Sequence, residues 1–133
     1  MLKIYTMPEF MLLIRNLGEH KDSQSPEEHK EFVKKCELYI NKLKHENRLI
    51  AAQPIARQGK IISGKPGAWK EEIFDKTKEV QVGYYHITAS NLEEAIEIAK
   101  GNPEFEYGNT AKIEVRPIKE IEESTGFVYP TSL

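Results

Sequence analysis

V-G-Y-Y-H-I-T-A-S-N-L-E-E-A-I-E-I-A-K-G-N-P, residues 82–103, followed by K-I-E-V-R-P-I, residues 112–118, decides how this chain folds. Residues 80–88 are rich in β-branched and aromatic side chains, which suit a pleated, half-buried surface. Two-residue alternation sets Val82, Tyr84 and His86 on one face of that strand and Gly83, Tyr85 and Ile87 on the other. Ser90 stands three residues before Glu93, the spacing of a reciprocal cap at a helix start. Leu92, Ala95, Ile96 and Ala99 then recur at helical spacing as one apolar stripe. Gly101 suits the left-handed conformation that ends a helix, and Pro103 stops it from resuming. A second strand follows, with Ile113 and Val115 to one side and Glu114 and Arg116 to the other. Pro117 has no N–H to give a ladder, so the strand ends there. The unit is β-α-β.

The first half of the chain repeats that plan. Phe10–Arg15, F-M-L-L-I-R, is apolar on both faces until Arg15, as befits a strand in the middle of a sheet. Before it, Leu2–Tyr5 either extends a strand or leads into one. Asn16–Ser25 is polar and reads as a loop. Ser25-Pro26-Glu27-Glu28 then combines a serine cap, a proline at the first helical position and a glutamate three residues on. The helix it opens runs to about Glu46, with Phe32 or Val33, Cys36, Ile40 and Leu43 on its inner stripe. Its lysines and glutamates form a solvated face, and Asn47 ends it.

Arg48–Ala52 is a short strand before Pro54, and Lys60–Ser63 is a further candidate strand ahead of the turn Gly64–Gly67. Ala68–Glu79 is polar, with Trp69, Ile73 and Phe74 as isolated apolar anchors. It reads as a long ordered loop or a helical turn, placed to act as a lid. The tail, residues 119–133, is acidic at first and then carries Phe127-Val128-Tyr129, apolar residues suited to docking on a second subunit.

At 133 residues the chain is expected to form one domain, residues 1–133, with a core over about 10–118 and enough length to bury it without staples. The formal charge of −2 comes from interleaved acids and bases, so no basic stripe points to nucleic acid. Cys36 is the only cysteine, which excludes an intrachain disulfide framework and a cysteine zinc cage. A reducing, cytoplasmic setting is expected. Phe10–Ile14 is too short to span a bilayer and lacks a secretory cleavage pattern, so no membrane association is expected.

The order β-α-β(β)β-α-β, with both helices amphipathic on one side, predicts an α+β, ferredoxin-like two-layer sandwich: an antiparallel sheet with two helices on one face. The opposite face, with Met11, Leu13 and Tyr84, would be bare in a monomer, and a bare apolar sheet face marks a partner surface. Two copies facing each other form a dimeric α+β barrel with an enclosed cleft, so a homodimer is expected.

F-M-L-L-I-R (10–15), S-P-E-E (25–28), F-D-K-T-K-E (74–79), G-Y-Y (83–85), L-E-E-A (92–95) and E-V-R-P (114–117) occur in this order. Together they resemble the YCII-related family, specifically its DGPF branch, over about residues 10–118. The resemblance implies a ferredoxin-like dimeric α+β barrel, in agreement with the patterning. The branch signature D-G-P-F is here Glu71-Glu72-Ile73-Phe74, so only the phenylalanine remains. Other members carry a His–Asp pair, suggested to serve acid/base chemistry; its positions fall on Cys36 and His45, so that dyad is absent. Some relatives occur beside or fused to extracytoplasmic-function sigma factors, which implies a regulatory alternative.

With the first strand between the third and fourth, Arg15, Tyr84, His86, Glu114 and Arg116 share the helix-free face. Two guanidiniums converging there would bind a carboxylate or phosphate, and His86 would act as general acid or base. Arg15, Tyr84, Glu114 and Arg116 are therefore the candidate ligand-binding residues and His86 the candidate catalytic one, for a small anionic or phenolic molecule. The alternative sets Arg15 and Arg116 at the sheet ends, paired with Glu114 or with solvent across a dimer interface. No cofactor or metal is expected: the four histidines show no ligand spacing, and no phosphate-binding glycine loop or serine-nucleophile elbow occurs. Cys36 reads as a small core residue, and Asp75 and Lys78 as a local ion pair. Two function classes stay open: a ligand-binding or catalytic dimeric barrel, and a non-enzymatic interaction domain using the dimer surface and the tail.

Overall fold

The structure is a computed structural model and describes residues 7–130. The expectation for Leu2–Tyr5 lies outside the described residues. The ordered elements are β1 (Glu9–Leu17), α1 (Pro26–His45), β2 (Leu49–Pro54), β3 (Ile61–Lys65), β4 (Ala68–Glu72), β5 (Glu79–Thr88), α2 (Leu92–Lys100), β6 (Lys112–Pro117), β7 (Ile121–Glu122) and β8 (Phe127–Val128). The main sheet has the order β2-β5-β1-β6, every neighbouring pair antiparallel. This is the ferredoxin-like α+β sandwich, with β1 between β5 and β6, the two strands that flank α2, and Pro54 and Pro117 on the edge strands.

One sheet face carries the core. Phe10, Leu12 and Ile14 of β1 alternate inward beside Tyr85 and Ile87 of β5, and Leu43 of α1 and Ala95 and Ala99 of α2 close over them. Leu12 and Ile87 are fully buried and lie at the centre; removing either side chain from water contributes about 2 kcal/mol. Tyr39 ties the helices together: its hydroxyl donates to the Ile98 carbonyl at 2.5 Å, and its ring meets Tyr85 edge-on at 5.4 Å.

The helix ends follow the sequence at α1 and shift at α2. Ser25 and Glu28 form the reciprocal cap, and Asn47, with φ 59°, takes the left-handed turn that ends α1. At α2 the cap is Asn91, whose side chain accepts from the Glu94 N–H, and the Glu94 carboxylate reaches back to the Ser90 N–H. The expected Ser90–Glu93 box is thus displaced by one residue, because an asparagine oxygen reaches the open N–H groups as well as a serine does. Gly101 stays right-handed, with φ −81°, since Asn102 and Pro103 lead directly into a short 3-10 turn over Pro103–Glu106.

Two further readings are corrected. Ile14 pairs with Gly83 and Arg15 with Gln81, so Val82 is an extra residue in β5. This bulge swings Val82 into the core, away from Tyr84 and His86. Residues 68–72 are neither loop nor helical turn but β4, paired with β3 in a two-stranded ribbon apart from the main sheet. Trp69 and Ile73 are accordingly 63% and 77% exposed, and of the three expected anchors only Phe74 is half-buried, its ring over Gly59. The tail forms a second small hairpin, β7 with β8.

Candidate functional site

The helix-free face is built by the register of three antiparallel pairs. Met11 lies opposite His86 on one side and Arg116 on the other, and Leu13 lies between Tyr84 and Glu114. Arg15, Tyr84, His86, Glu114 and Arg116 therefore share one face, with Arg15 at one end and His86 and Arg116 level with each other towards the other. At one end Arg15 Nε stands 3.1 Å from Glu79 Oε1, without the alignment of a hydrogen bond, and Arg15 Nη1 is 3.7 Å from Glu114 Oε1. Glu114 Oε2 also accepts from Arg116 at 3.4 Å. Each guanidinium thus already faces a carboxylate.

Towards the other end His86 Nε2 meets Glu9 Oε1 at 2.6 Å, with the side chains 16% and 10% exposed. Arg15 and His86 are four residues apart along the register, about 13 Å at strand rise. One small ligand does not bridge them easily. Glu9, the partner that fixes the imidazole, was not singled out by the sequence. The available signal was parity, since Glu9 shares the odd positions of β1 with Met11, Leu13 and Arg15.

The opposite face holds the larger opening. Between α1 and the sheet lies a cavity of about 790 Å³. Its floor is formed by Ile14, Val82, Gly83 and Tyr85, and Phe32, Val33, Cys36 and Ile40 of α1 line it from above. Gly83 lies opposite Ile14 in the register, where the β2 backbone approaches closely. A Cβ there would come within 3.0 Å of the Gln53 carbonyl oxygen.

Polar groups enter this cavity at two places. Asn16, fully buried at the even, inward parity of β1, donates to Glu104 Oε1 at 3.0 Å. Its own oxygen accepts from the Thr110 hydroxyl at 2.7 Å and the Leu17 N–H at 2.8 Å, so its hydrogen bonding is satisfied. Asn102 is 2% exposed; its Oδ1 accepts from the Glu104 N–H at 2.8 Å, while its Nδ2 has no partner. Elsewhere the wall carries Arg57, which donates to the carbonyls of Ile55 and Gly18, and Lys76. No carboxylate among the described residues pairs with either cation. Gly18 lets the Lys76 backbone approach, since a Cβ would meet Lys76 Cα at 2.8 Å.

Around Cys36, burial and nearby carboxylates disfavour an anion. Burial, and after it the carboxylates of Glu104, Glu106 and Glu37, push the Cys36 thiol up to about 11. Burial likewise drives the Tyr85 phenol well above its usual range. Cys36, where the resemblance puts the histidine of other members, lines this cavity, whereas His45 is exposed at the end of α1. No pattern along the chain marked Asn102 or Glu104 as lining residues, because they enter from a connection whose path depends on how α2 packs.

Among the described residues no three His, Cys, Asp or Glu side chains converge as metal ligands would, and no helix is long and apolar enough to cross a membrane. Asp75 is held chiefly by the Thr77 hydroxyl and N–H, which lower its carboxyl, with Lys78 at 4.0 Å a weaker partner. Compared with known proteins, residues 9–120 match the family model described as the YCII-related domain. No curated protein matches the chain.

Proposed function

The chain belongs to the YCII-related family, and from that premise we propose that it binds a small anionic or phenolic molecule in the cavity between α1 and the sheet. The observation that carries this reading is a cavity of about 790 Å³, apolar on floor and roof, with Arg57 and Lys76 on its wall and Asn102, a buried asparagine with an unpartnered N–H, in its lining. Ligand sites are mostly apolar concavities with a few convergent polar groups, and buried polar groups are otherwise almost always satisfied. Arg57 and Lys76 supply positive charge free of internal carboxylates, which Arg15 and Arg116 do not.

Calorimetric titration with a panel of small aromatic and aliphatic acids tests the reading, using wild type, Cys36→Phe and His86→Ala. Binding is expected in wild type and His86→Ala and lost in Cys36→Phe, whose larger side chain fills the roof. Binding that survives Cys36→Phe but disappears in His86→Ala would move the site to the helix-free face. That second reading is favoured by one observation, the close Glu9–His86 pair, which fixes an imidazole as a general acid or base requires. Arg15, Tyr84, Glu114 and Arg116 would then line a cleft closed by a second copy of the chain, as in a dimeric barrel.

We place the chain in the DGPF branch on the ordered motifs, with Phe74 as the retained signature residue, and in a reducing cytoplasm on its lone Cys36. A regulatory interaction domain is the remaining alternative, supported by Phe127 and Val128, 58% and 62% exposed on the tail hairpin. A protein partner that binds stoichiometrically and is lost with residues 119–133 would favour it.

A further inference from the structure

The β3–β4 ribbon stands apart from the main sheet, and every residue of its two strands is exposed. Its register sorts the side chains by chemistry. Ile62 lies opposite Glu71 and Gly64 opposite Trp69, so Ile62 and Trp69 are diagonal neighbours on one face. The other face is mainly polar: Ser63, Lys65, Lys70 and Glu72 accompany Ile61, and Lys70 pairs with Glu72 at 2.7 Å. A two-stranded ribbon with a bare apolar face is stabilised by closing on a surface. Its roots point to which one. Arg57, ahead of β3, and Lys76, after β4, both line the cavity between α1 and the sheet. Ile62 follows Arg57 by five residues, so even a fully extended chain keeps it within about 17 Å. At the rim Val33 and Ile55 line the same cavity yet are each 40% exposed, leaving apolar surface open at its mouth.

We propose that the β3–β4 ribbon is a flap that folds its Ile62–Trp69 face over the mouth of this cavity when a small acid occupies it. This rests on the cavity being the ligand site and adds how the site closes. An occupant shifts such an equilibrium only through contacts that differ between the open and closed states. Arg57 and Lys76 supply them, because they stand at the two roots and an anion that meets both fixes both roots at once. The Arg57 guanidinium is already oriented by the carbonyls of Ile55 and Gly18, and the Lys76 carbonyl accepts from the Glu19 N–H at 3.0 Å. Between roots and ribbon, residues 58–60 and 73–75 have no regular secondary structure and serve as the hinges. Closure brings Ile62 and Trp69 against Val33 and Ile55. It also shields the anion from water, which strengthens its attraction to Arg57.

Trp69 is the only tryptophan in the chain, so its fluorescence reports the ribbon alone. Titration with hexanoate and with phenylacetate is expected to shift Trp69 emission to the blue and to cut its quenching by acrylamide at least twofold. Both changes should track binding measured by calorimetry and vanish in Cys36→Phe. Cross-linking gives a second readout. In a Cys36→Ser background, Val33→Cys with Ile62→Cys should form an intramolecular disulfide under mild oxidation, at least fivefold faster with hexanoate present. Val33→Cys with Ile61→Cys, on the opposite face of the ribbon, should not. All three exchanged positions outside the cavity roof are exposed, so thermal unfolding near that of wild type is expected to show an intact fold. If acids bind in a Cys36-dependent way while Trp69 quenching and cross-linking stay unchanged, the cavity reading stands and the flap falls. A disulfide formed only between two copies of the chain, or formed equally from Ile61→Cys and Ile62→Cys, also overturns the flap. If no acid's binding depends on Cys36→Phe, both fall.

Discussion

Cys36 lies on the inner stripe of α1, and its thiol is raised from 9.0 to about 11, first by burial and then by Glu104. The thiolate is the reactive form, so labelling by a maleimide should be slow at pH 8 and rise steeply only between pH 9 and 11. A flat profile across that window would show a solvated thiol and an open roof. The linkage runs in the same direction: a folded-state value above the unfolded one gives stability that is complete below pH 9 and lost as pH rises through about 11. Cys36 was legible as an inner-stripe residue because helical periodicity fixes which face a position occupies. That its surroundings form a cavity was not legible, since this depends on how α1 packs over the sheet. Glu9 and Asn16 were missed for a related reason: their parity on β1 is in the sequence, but their partners, His86 and Glu104, are 77 and 88 residues away.

At the scale of elements, the termini of α2 give a clean test of local physics. Asn91→Ala should cost about 1 kcal/mol in chemical denaturation. Ser90→Ala should stay within about 0.5 kcal/mol, because Ser90 contributes its backbone N–H and not its hydroxyl. The reverse order would restore the Ser90–Glu93 box. Glu94 is held low by the Ser90 N–H and by Arg48, which pairs with it from the start of β2. A cap so placed links α2 to the sheet as well as closing the helix. The β3–β4 ribbon shows the opposite case. Its Trp69 resembled an anchor because composition does not reveal whether a strand joins the main sheet or pairs only with its neighbour. An isolated two-stranded hairpin is marginal in water, and here Gly64 and Gly67, with φ of 105° and 85°, supply the turn.

For the whole molecule, the helix-free face carries Met11, Leu13 and Tyr84, each only partly covered. A second copy packed on that face is the proposed barrel. Leu13→Arg should therefore give a folded monomer in sedimentation at micromolar concentration, whereas wild type sediments as a dimer. Leu12→Ala, one residue away but fully buried, should cost about 3 kcal/mol of stability and leave the association state unchanged. Loss of association by neither variant, with wild type monomeric, would remove the barrel. Taken alone, the sequence determined the strands of the main sheet, both helices, their starting caps to within one residue, and the side of the sheet on which the helices lie. Periods of 2.0 and 3.6 and the chemistry of chain ends are properties of near neighbours along the chain. Only the tertiary structure decided where Val82 points, that β3 and β4 stand apart, and that Asn102 and Glu104 meet a cavity under α1. Those outcomes depend on pairing register and on voids between layers, which arise from contacts between distant residues and leave no period in the chain.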